Sequence, residues 1–342
     1  MSNELPLVCI CIPTYNAAIT IRETLASILA QTYANLVIHV SDNASTDGTL
    51  SVIESMTDSR VTIHRHVENV GGEGNFNRCI QLAEGKYTAI YHADDVYEPN
   101  IVASQVEFLE AHPNAGAVFT EANIIDAMGY ITGEILLPKG IAQQGGLYDF
   151  DTMFKAVLRH SNFFICPSFM VPTQIYKQEI NCWRGELFGS SSDLDVWFRI
   201  LQRHPIGHIP DRLLRYRICL NQFSAKIRSE TERAAIFKVL DHYLKLDRVK
   251  AVIDSTDLLL YKWLERRDRV MRGVNLFLLD RPEETMRLLS DIYSQDTLKA
   301  AFKSKRGLFV LIVGVYMKML IVMGLNGFGK ASLNYIKQVA HK

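Results

Sequence analysis

Short apolar runs alternate with amphipathic stretches along the first 120 residues of the 342-residue chain. The runs predict β-strands at Leu7–Ile12, Leu36–Val40, Val61–His66, Tyr87–Tyr91 and Gly116–Thr120. Between them, apolar residues at helical spacing predict helices at Ala18–Ala30, Thr49–Met56, Asn75–Ala83 and Asn100–Ala111. Strands that alternate with helices indicate right-handed crossovers, and therefore an α/β fold with a mostly parallel sheet covered on both faces.

The pattern changes beyond about residue 225, where long basic helices such as Asp257–Arg272 follow one another. We therefore predict two domains, residues 1–225 and a helical C-terminal extension at 226–342. Within the extension, Leu308–Leu325 is apolar on all sides except at Lys318. A spanning helix needs ~20 apolar residues, so this stretch is marginal. Two interpretations are open: a buried helix that packs on the first domain, or a helix that docks on a membrane.

Charge is distributed unevenly, although the formal net charge is zero. Residues 1–150 carry 6 Lys or Arg against 18 Asp or Glu, whereas the other residues carry 31 against 19. Residues 301–342 contain seven Lys or Arg and no Asp or Glu, so an anionic membrane surface is a candidate partner there. Nucleic-acid binding is disfavoured, because the basic residues lie mostly on predicted helices without a recognisable reading module.

The cysteines and the N-terminus bear on the cellular compartment. None of the six cysteines forms a C-x-x-C pair, so we interpret them as core thiols in a reducing compartment. The N-terminal segment lacks a basic region and passes directly into a strand, which is not typical of a signal peptide. These features predict a cytoplasmic protein, either free or peripheral on the inner face of the plasma membrane.

Polar residues cluster at the carboxyl ends of the predicted strands, where parallel sheets bind their ligands. The clusters are Thr14–Asn16, Ser41–Asp47 and His92–Asp95. Asp42 comes too early to cap the following helix, a role that suits Asp47 or Ser45. From its position in the ligand crevice, the Asp42 carboxylate could accept a hydrogen bond from a nucleobase imide N–H.

Two further acidic motifs indicate chemistry. Asp94 and Asp95 repel each other, and Mg²⁺ or Mn²⁺ would remove that repulsion. The alternative is a turn with a helix cap before Pro99. Asp193 stands at the start of a predicted helix, where capping is again the alternative role. A carboxylate near a helix N-terminus stays ionised, which suits a base that accepts a proton from an alcohol.

Together these motifs resemble those of family 2 glycosyltransferases over roughly residues 5–225. The matching elements are, in chain order, Pro13-Thr14-Tyr15-Asn16, Asp42, Asn69-Val70-Gly71-Gly72 with Asn77, Asp94-Asp95, Asp193, and Arg217 with Ser224. The resemblance implies the GT-A nucleotide-diphospho-sugar transferase fold, a mostly parallel Rossmann-like sheet flanked by helices, here with a helical C-terminal extension.

The resemblance also implies a reaction: inverting transfer of a sugar from a nucleotide-diphosphate donor, expected to be UDP-linked. The acceptor would be a hydroxyl of a glycan or lipid-linked molecule in cell-surface polysaccharide synthesis. The implied donor-binding residues are Pro13, Thr14, Tyr15, Asn16, Asp42, Asn77, Asp94 and Arg217. Asp42 would face the base and Asp94 the ribose. Asp95, with Asp94, would hold Mn²⁺ or Mg²⁺, and Asp193 would be the catalytic base.

Two residues depart from the family's pattern. His92 stands where many members have an acid, and Cys219 where a histidine often approaches the diphosphate. We interpret them as a strand-end polar residue and a buried thiol, which leaves diphosphate binding to Arg217 and the metal. Two alternatives are a nucleotidyltransferase, which would need a Gly-rich basic loop after the first strand, and a non-catalytic sugar-nucleotide-binding protein, which would not need Asp193. The sequence does not determine the donor sugar, the acceptor or the oligomeric state.

Overall fold

The structure is a computed structural model and describes residues 5–141, 146–218, 230–295, 298–299 and 305–339. The chain divides into two compact units. The first comprises residues 1–156 and 162–218, and the second comprises residues 157–161 and 219–342. The predicted domain boundary near residue 225 lies outside the described residues, as do Cys219 and Ser224.

A ten-stranded sheet is the centre of the first unit. Its strands are β1 Val8–Thr14, β2 Leu36–Asp42, β3 Val61–Arg65, β4 Tyr87–Ile90, β5 Val96–Tyr97, β6 Ala117–Ile125, β7 Ile131–Ile135, β8 Gly146–Tyr148, β9 Phe169–Pro172 and β10 Ile206–Arg217. The order is β3-β2-β1-β4-β9-β6-β10-β5, with β7 beside β6 and β8 beside β10. β1 is parallel to β2 and β4, β2 to β3, and β6 to β10. β9 runs antiparallel between β4 and β6 and so joins two parallel groups of strands.

The helices of this part of the chain are α1 Ile21–Leu29, α2 Thr49–Glu54, α3 Gly71–Leu82, α4 Ile101–Ala111, α5 Phe150–His160, α6 Gly185–Phe188 and α7 Ser192–Leu201. Up to β6 they lie between strands as predicted, except that β4 and β5 follow each other without a helix. Beyond β6 the alternation ends, because β7 and β8 follow β6 directly and α7 follows α6 without a strand between them. Short 3-10 turns lie at Cys166–Ser168 and Gly189–Ser191, and a π-helical turn lies at Ile175–Ile180.

Strand β1 is buried on both faces, as its uninterrupted apolar run predicts. Ile10 and Ile12 belong to one core cluster with Leu25 of α1. Successive side chains of a strand point to opposite faces, so Cys11 faces the other side, where its Sγ lies 3.4 Å from the carbonyl oxygen of Cys79 in α3. The core-thiol interpretation is wrong for Cys182, which is exposed.

Strand β1 extends past the predicted end through Pro13 to Thr14, which lies beside Asp42 in the register with β2. Proline in the middle of a sheet removes a ladder donor. The cost is avoided here because the pairing of β1 with β4 ends at Cys11, opposite Ile90. The extension therefore brings the ends of β1 and β2 together at one edge of the sheet.

Helices and their short connections make up the described part of the second unit. They are α8 Ile236–Leu244, α9 Asp247–Val252, α10 Ser255–Leu278, α11 Pro282–Leu288, α12 Lys305–Val322 and α13 Asn326–Val339. A capping box between Asp254 and Asp257 begins α10. In the part of the chain that the structure describes, every helix falls short of the length or the apolar character needed to cross a membrane.

The apolar stretch of the C-terminal end corresponds to α12, which packs within its own unit. Buried side chains of α10, α12, α13 and the segment after α11 form one cluster, which comprises Val270, Val274, Phe277, Leu289, Ile292, Val310, Val313, Met317, Leu320 and Leu333. Gly314 allows close packing, because a Cβ there would lie 2.8 Å from Cδ1 of Ile292. One face of α12 is therefore a core face of the second unit.

Candidate functional site

Asp42 is the last residue of β2, and among the described residues only one of its two carboxylate oxygens accepts a hydrogen bond. The residue is 1% exposed. Its Oδ2 accepts a 3.1 Å hydrogen bond from the main-chain N–H of Ser45. Its Oδ1 is buried and has no hydrogen-bond partner among the described residues. A buried acceptor without a partner is costly unless a ligand satisfies it, so this oxygen is a candidate acceptor for a ligand's N–H.

The loops that follow β1 and β2 are tied to each other beside Asp42. Asn16 has a left-handed backbone with φ +48°, which asparagine tolerates better than most residues. Its Oδ1 accepts a 2.8 Å hydrogen bond from the N–H of Thr46, and its own N–H donates to Oγ of Ser45 at 3.0 Å. Thr14 is buried, whereas Tyr15 is 48% exposed. Of the two predicted caps, Asp47 accepts a hydrogen bond from Thr49 N at the start of α2.

Asn43 fixes the segment before α3 on the other side of Asp42. Its Oδ1 accepts from Val70 N at 3.0 Å, and its Nδ2 donates to Oδ1 of Asn69 at 2.8 Å. The same Asn69 oxygen accepts from Gly71 N at 2.8 Å. Because Gly71 has φ +77°, the chain turns sharply into α3, which therefore begins four residues before the predicted Asn75.

Asn77 makes a contact that the sequence does not predict. Its Oδ1 accepts a 2.7 Å hydrogen bond from the main-chain N–H of Trp183. The Trp183 ring is buried and stacks on Phe76 with a centroid distance of 4.6 Å. In the structure, Asn77 fixes the segment before α6, and its assignment to donor binding stays a prediction.

The acidic turn after β4 brings three possible metal ligands together. One ligand atom from each of His92, Asp94 and Asp95 lies within 4.8 Å of the others. Asp95 is fully buried; its Oδ1 accepts from Arg217 N at 2.8 Å, and its Oδ2 has no hydrogen-bond partner among the described residues. His92 Nδ1 lies 3.9 Å from that oxygen, and His92 Nε2 is also buried without a described partner.

The electrostatics of this turn suit a divalent cation. Burial, together with the Asp94 charge, raises the pKa of Asp95 well above its ordinary value. Burial lowers the pKa of His92, which favours the neutral imidazole that ligates metals. A buried carboxylate oxygen without a partner, a second carboxylate and a neutral imidazole form a donor set that fits Mn²⁺, and Mg²⁺ with less use of the imidazole.

Arg217 is buried and its guanidinium binds the protein itself. Nε donates to the carbonyl oxygen of Asp94 at 2.8 Å, and Nη1 donates to those of Asp126 and Ala127 at 3.1 and 3.3 Å. Nη2 forms an ion pair with Glu23 at 2.5 Å. In the structure this side chain therefore holds the acidic turn in place, and a direct contact with a diphosphate stays a prediction.

Asp193 and Asp195 lie in the first turn of α7 in different environments. Burial raises the pKa of Asp193 to about 6, against the opposing effect of hydrogen bonds from Leu194 N and the Asn162 side chain. Asp195 is fully buried and forms ion pairs with Arg184 and with Arg199, whose Nε lies 3.0 Å from Oδ2 of Asp195. Asp193 therefore has the properties of a proton acceptor near neutral pH, whereas Asp195 is structural.

Two neighbours of Asp193 are absent from the sequence prediction. Glu73 of α3 is half-buried, accepts a 3.2 Å hydrogen bond from Oγ of Ser192, and has a pKa that burial raises. A Cβ at Gly185 would overlap its carboxylate. The Cys166 thiol has its pKa raised by burial and by the charges of Asp193 and Asp95. The glycine opposite Glu73 is the one sequence feature linked to this contact, and it is readable only once the fold is known.

The part of the sequence that carries most of these site residues matches a known protein family. Residues 9–171 match the family described as Glycosyl transferase family 2. The match covers just under half of the chain, and with the relatives named glycosyltransferases it shows an enzyme of the sugar-transferring class.

Relatives with curated names agree with this class. An uncharacterized glycosyltransferase of Haemophilus influenzae is 27% identical over 285 residues, which cover 79% of this chain and 84% of that protein. The Escherichia coli enzyme WfaP, named UDP-Glc:alpha-D-GlcNAc-diphosphoundecaprenol beta-1,3-glucosyltransferase, is 36% identical over 104 residues. That match covers 30% of this chain and 41% of WfaP, so the chain spans less than half the length of this relative.

Solved structures confirm the predicted GT-A fold. Staphylococcus aureus TarS 1–349 in complex with UDP-GlcNAc superposes with a TM-score of 0.53 at 14% identity and covers 93% of this chain and 92% of that chain. The mannosyltransferase PcManGT of Pyrobaculum calidifontis, in complex with GDP-Man and Mn²⁺, gives a TM-score of 0.53 at 18% identity. It covers 97% of this chain and 88% of that chain.

Proposed function

We propose that the chain transfers a sugar from a UDP-linked donor, with inversion and with the help of Mn²⁺ or Mg²⁺, to a hydroxyl of a glycan or lipid-linked acceptor. One observation carries this proposal: two buried carboxylate oxygens have no hydrogen-bond partner among the described residues, Asp42 Oδ1 at the end of β2 and Asp95 Oδ2 in the turn after β4. Strands β2 and β4 lie on either side of β1. A nucleobase N–H and a metal-bound diphosphate would satisfy both oxygens. The UDP-sugar named for WfaP and for the TarS complex supports uridine as the base.

We propose that the donor binds along the carboxyl ends of β1, β2 and β4. Oδ1 of Asp42 accepts the N–H of the uracil imide, while the exposed ring of Tyr15 is available to stack on the base. Pro13, Thr14 and Asn16 shape this loop through the β1 extension and the Asn16–Thr46 hydrogen bond. Asp94 binds the ribose. Arg217 is proposed to serve the donor by holding the Asp94–Asp95 turn, and its direct contact with the diphosphate stays a prediction.

Asp95 and Asp94 are proposed to hold the divalent cation, with His92 as a third ligand. When bound, such an ion neutralises charge on the leaving diphosphate. The ion pair of Arg217 with Glu23 and its hydrogen bonds to main-chain carbonyls keep the turn rigid. A rigid turn lowers the reorganisation needed when charge develops during the reaction.

Asp193 is proposed to act as the base. As the acceptor oxygen attacks the anomeric carbon, its proton passes to the Asp193 carboxylate, the new glycosidic C–O bond forms and the bond to the diphosphate oxygen breaks. One displacement from the opposite face inverts the anomeric configuration. A base with a pKa of about 6 is ionised at neutral pH and still accepts a proton in the transition state.

Two relatives with curated names support the proposed acceptor class. WfaP is named for a lipid-diphosphate-linked sugar acceptor, and a Bacillus subtilis relative, 32% identical over 111 residues, is named as a putative teichuronic acid biosynthesis enzyme. We propose that this chain likewise extends a cell-surface glycan on the cytoplasmic side of the membrane.

The test is a panel of nucleotide sugars scored by thermal stabilisation, followed by transfer assays. UDP-Glc, UDP-Gal, UDP-GlcNAc and GDP-Man are each added with MnCl₂, with MgCl₂ or with a chelator. We expect a UDP sugar to raise the melting temperature in the presence of metal, and the chelator to remove most of the effect. Stabilisation by GDP-Man alone would overturn the uridine assignment, and stabilisation that ignores metal would overturn the cation.

A further inference from the structure

From Leu308 to its end at Val322, α12 exposes only apolar side chains. They are Leu308, Phe309, Ile312, Met319 and Val322, followed by Met323 after the helix end. At 100° per residue most of these lie on one stripe, opposite the face that packs with α10. A helix on the surface of a soluble unit ordinarily places polar residues on this side, so α12 is apolar both toward its core and toward solvent.

Exposed apolar side chains also follow α12, in the turn after it and in the first turn of α13. Leu325 and Phe328 are 41% and 66% exposed, beside Val322 at 77%. Large continuous apolar patches on a soluble protein mark sites of association with a partner or a membrane. The 18 residues of α12 correspond to a helix about 27 Å long, which is sufficient to lie along a surface.

The charge of residues 301–342 favours an anionic partner for this apolar surface. Residues 301–342 contain seven Lys or Arg and no Asp or Glu, and three of these, Lys303, Lys305 and Arg306, directly precede the apolar stripe. Lys318 does not interrupt the stripe, because its ammonium lies over the ring of Tyr293 at 4.8 Å from the centroid. A basic segment followed by an apolar stripe is the composition of helices that lie in the headgroup region of anionic bilayers.

We propose that α12 docks on an anionic lipid bilayer through the stripe of Leu308, Ile312, Met319, Val322 and Met323, with the helix axis in the membrane plane. Its opposite face stays packed in the second unit. Association of two copies through the same stripe would bring two acid-free basic segments together, which like-charge repulsion opposes. An anionic surface offers the complementary charge to the residues before Leu308 and an apolar layer to the stripe.

The experiment is co-sedimentation of the full chain with vesicles of phosphatidylcholine alone or with one third phosphatidylglycerol. We expect binding to the anionic vesicles at low salt, weaker binding at high salt, and little binding to phosphatidylcholine alone. Alanine at Lys303, Lys305 and Arg306 should weaken binding by about fivefold for each charge removed. No donor or acceptor is present, so failure here would leave the proposed transfer reaction standing.

A matched pair of variants tests the stripe itself. Met319→Gln combined with Met323→Gln makes the outward face polar and should weaken vesicle binding by roughly tenfold or more. Met128→Gln alters an exposed methionine of the first unit, where the side chain is 80% exposed, and should leave binding unchanged. The proposal would be overturned if the chain bound both vesicle types equally, or if the Met319→Gln, Met323→Gln double variant bound as well as Met128→Gln. It would also be overturned if the chain formed a dimer in solution that the double variant dissociates. Deleting the residues after about Asp296 is a poorer test of the stripe than these point variants, because the deletion would also remove the core face of α12.

Discussion

The main-chain N–H of Arg217 donates a 2.8 Å hydrogen bond to Oδ1 of Asp95, across 122 residues of sequence. The guanidinium of the same residue reaches the carbonyl oxygen of Asp94. Strand β10 thereby fixes the side chain of Asp95 and the backbone of Asp94. These contacts fix the direction of Asp95 Oδ2, which has no hydrogen-bond partner among the described residues. A carboxylate whose direction is already fixed would bind a cation with less loss of conformational entropy.

Arg217→Lys should weaken metal-dependent donor binding and lower stability together. A lysine ammonium cannot reach three carbonyl oxygens and the Glu23 carboxylate in the fork geometry of arginine. Buried carbonyls left without donors should cost about 2 to 4 kcal/mol of unfolding free energy. Thermal unfolding and UDP titration with and without MnCl₂ measure the two effects.

Arg215→Lys is the matched control for that change. Arg215 lies on the same strand, pairs with Glu98 at 2.7 Å and has a side chain that is 44% exposed. An exposed pair contributes little, so this variant should behave as the unmodified chain does. If Arg217→Lys weakens UDP binding without any loss of stability, the direct diphosphate contact expected from the sequence would be the better account.

Asp95→Asn should abolish metal-dependent transfer and leave the fold intact. The asparagine carbonyl still accepts the hydrogen bond from Arg217 N, and the substitution removes a buried charge, so stability should hold. An amide is a much weaker ligand for Mn²⁺ or Mg²⁺ than a carboxylate. We expect activity to fall by about 10²-fold or more. Activity that persists in the presence of a chelator would contradict the metal assignment.

Asp193→Asn should cut turnover by roughly 10²–10⁴-fold while donor affinity stays nearly unchanged. The asparagine cannot take the acceptor proton, and the nucleotide is proposed to lie at the ends of β1 and β2. The control is Asp195→Asn on the same helix, which leaves Arg184 and Arg199 without their carboxylate. That variant should lose about 3–5 kcal/mol of stability. A collapse of donor affinity in Asp193→Asn would make Asp193 a nucleotide-contacting or structural residue.

The pH dependence of kcat/KM should report the same carboxylate. Asp193 acts as a base only when ionised, and burial raises its pKa to about 6. The rate should therefore be level above about pH 7 and fall tenfold per pH unit below about pH 6. A profile recorded from acid to neutral pH measures this directly. An acidic limb near the ordinary aspartate value would show that this group is not the base.

The sequence predicts the sheet and the position of its acids because both depend on local pattern. Buried strands are apolar runs, and ligands of parallel sheets lie at the strand ends. The positions of Asp42, Asp94 and Asp95 follow from that rule, so they can be predicted without knowing which residues they contact. The beginning of α3 is misplaced because glycines lower helix propensity, whereas the hydrogen bond from Gly71 N to Asn69 compensates for them only in the folded chain.

The partners of charged side chains could not be predicted in the same way. Asp193 and Asp195 are two residues apart on one helix and so point about 200° apart. Only the fold shows that Asp195 is the one that meets two arginines. Arg217 is the converse case: its position in the motif suggested a ligand contact, and the structure surrounds its guanidinium with protein oxygens from three separate segments.

Asp42→Asn tests base recognition with the least disturbance to the site. The amide oxygen can take the place of Oδ2 and keep the hydrogen bond from Ser45 N. The NH₂ group then occupies the position of Oδ1, so a donor faces the imide N–H that the carboxylate would accept. Losing that hydrogen bond should cost about 1 to 3 kcal/mol, roughly 5- to 150-fold in Kd.

Titration calorimetry of UDP, and of cytidine diphosphate as a comparison, measures this effect. Cytosine has no imide N–H and presents an acceptor at that ring nitrogen, so Asp42→Asn should narrow the preference for UDP or reverse it. Asp47→Asn is the control, because Asp47 is a neighbouring loop carboxylate that accepts from Thr49 N at the start of α2. If both variants bind UDP equally well, Asp42 does not read the base. Its unpartnered oxygen would then need another ligand, and the uridine assignment would lose its structural support.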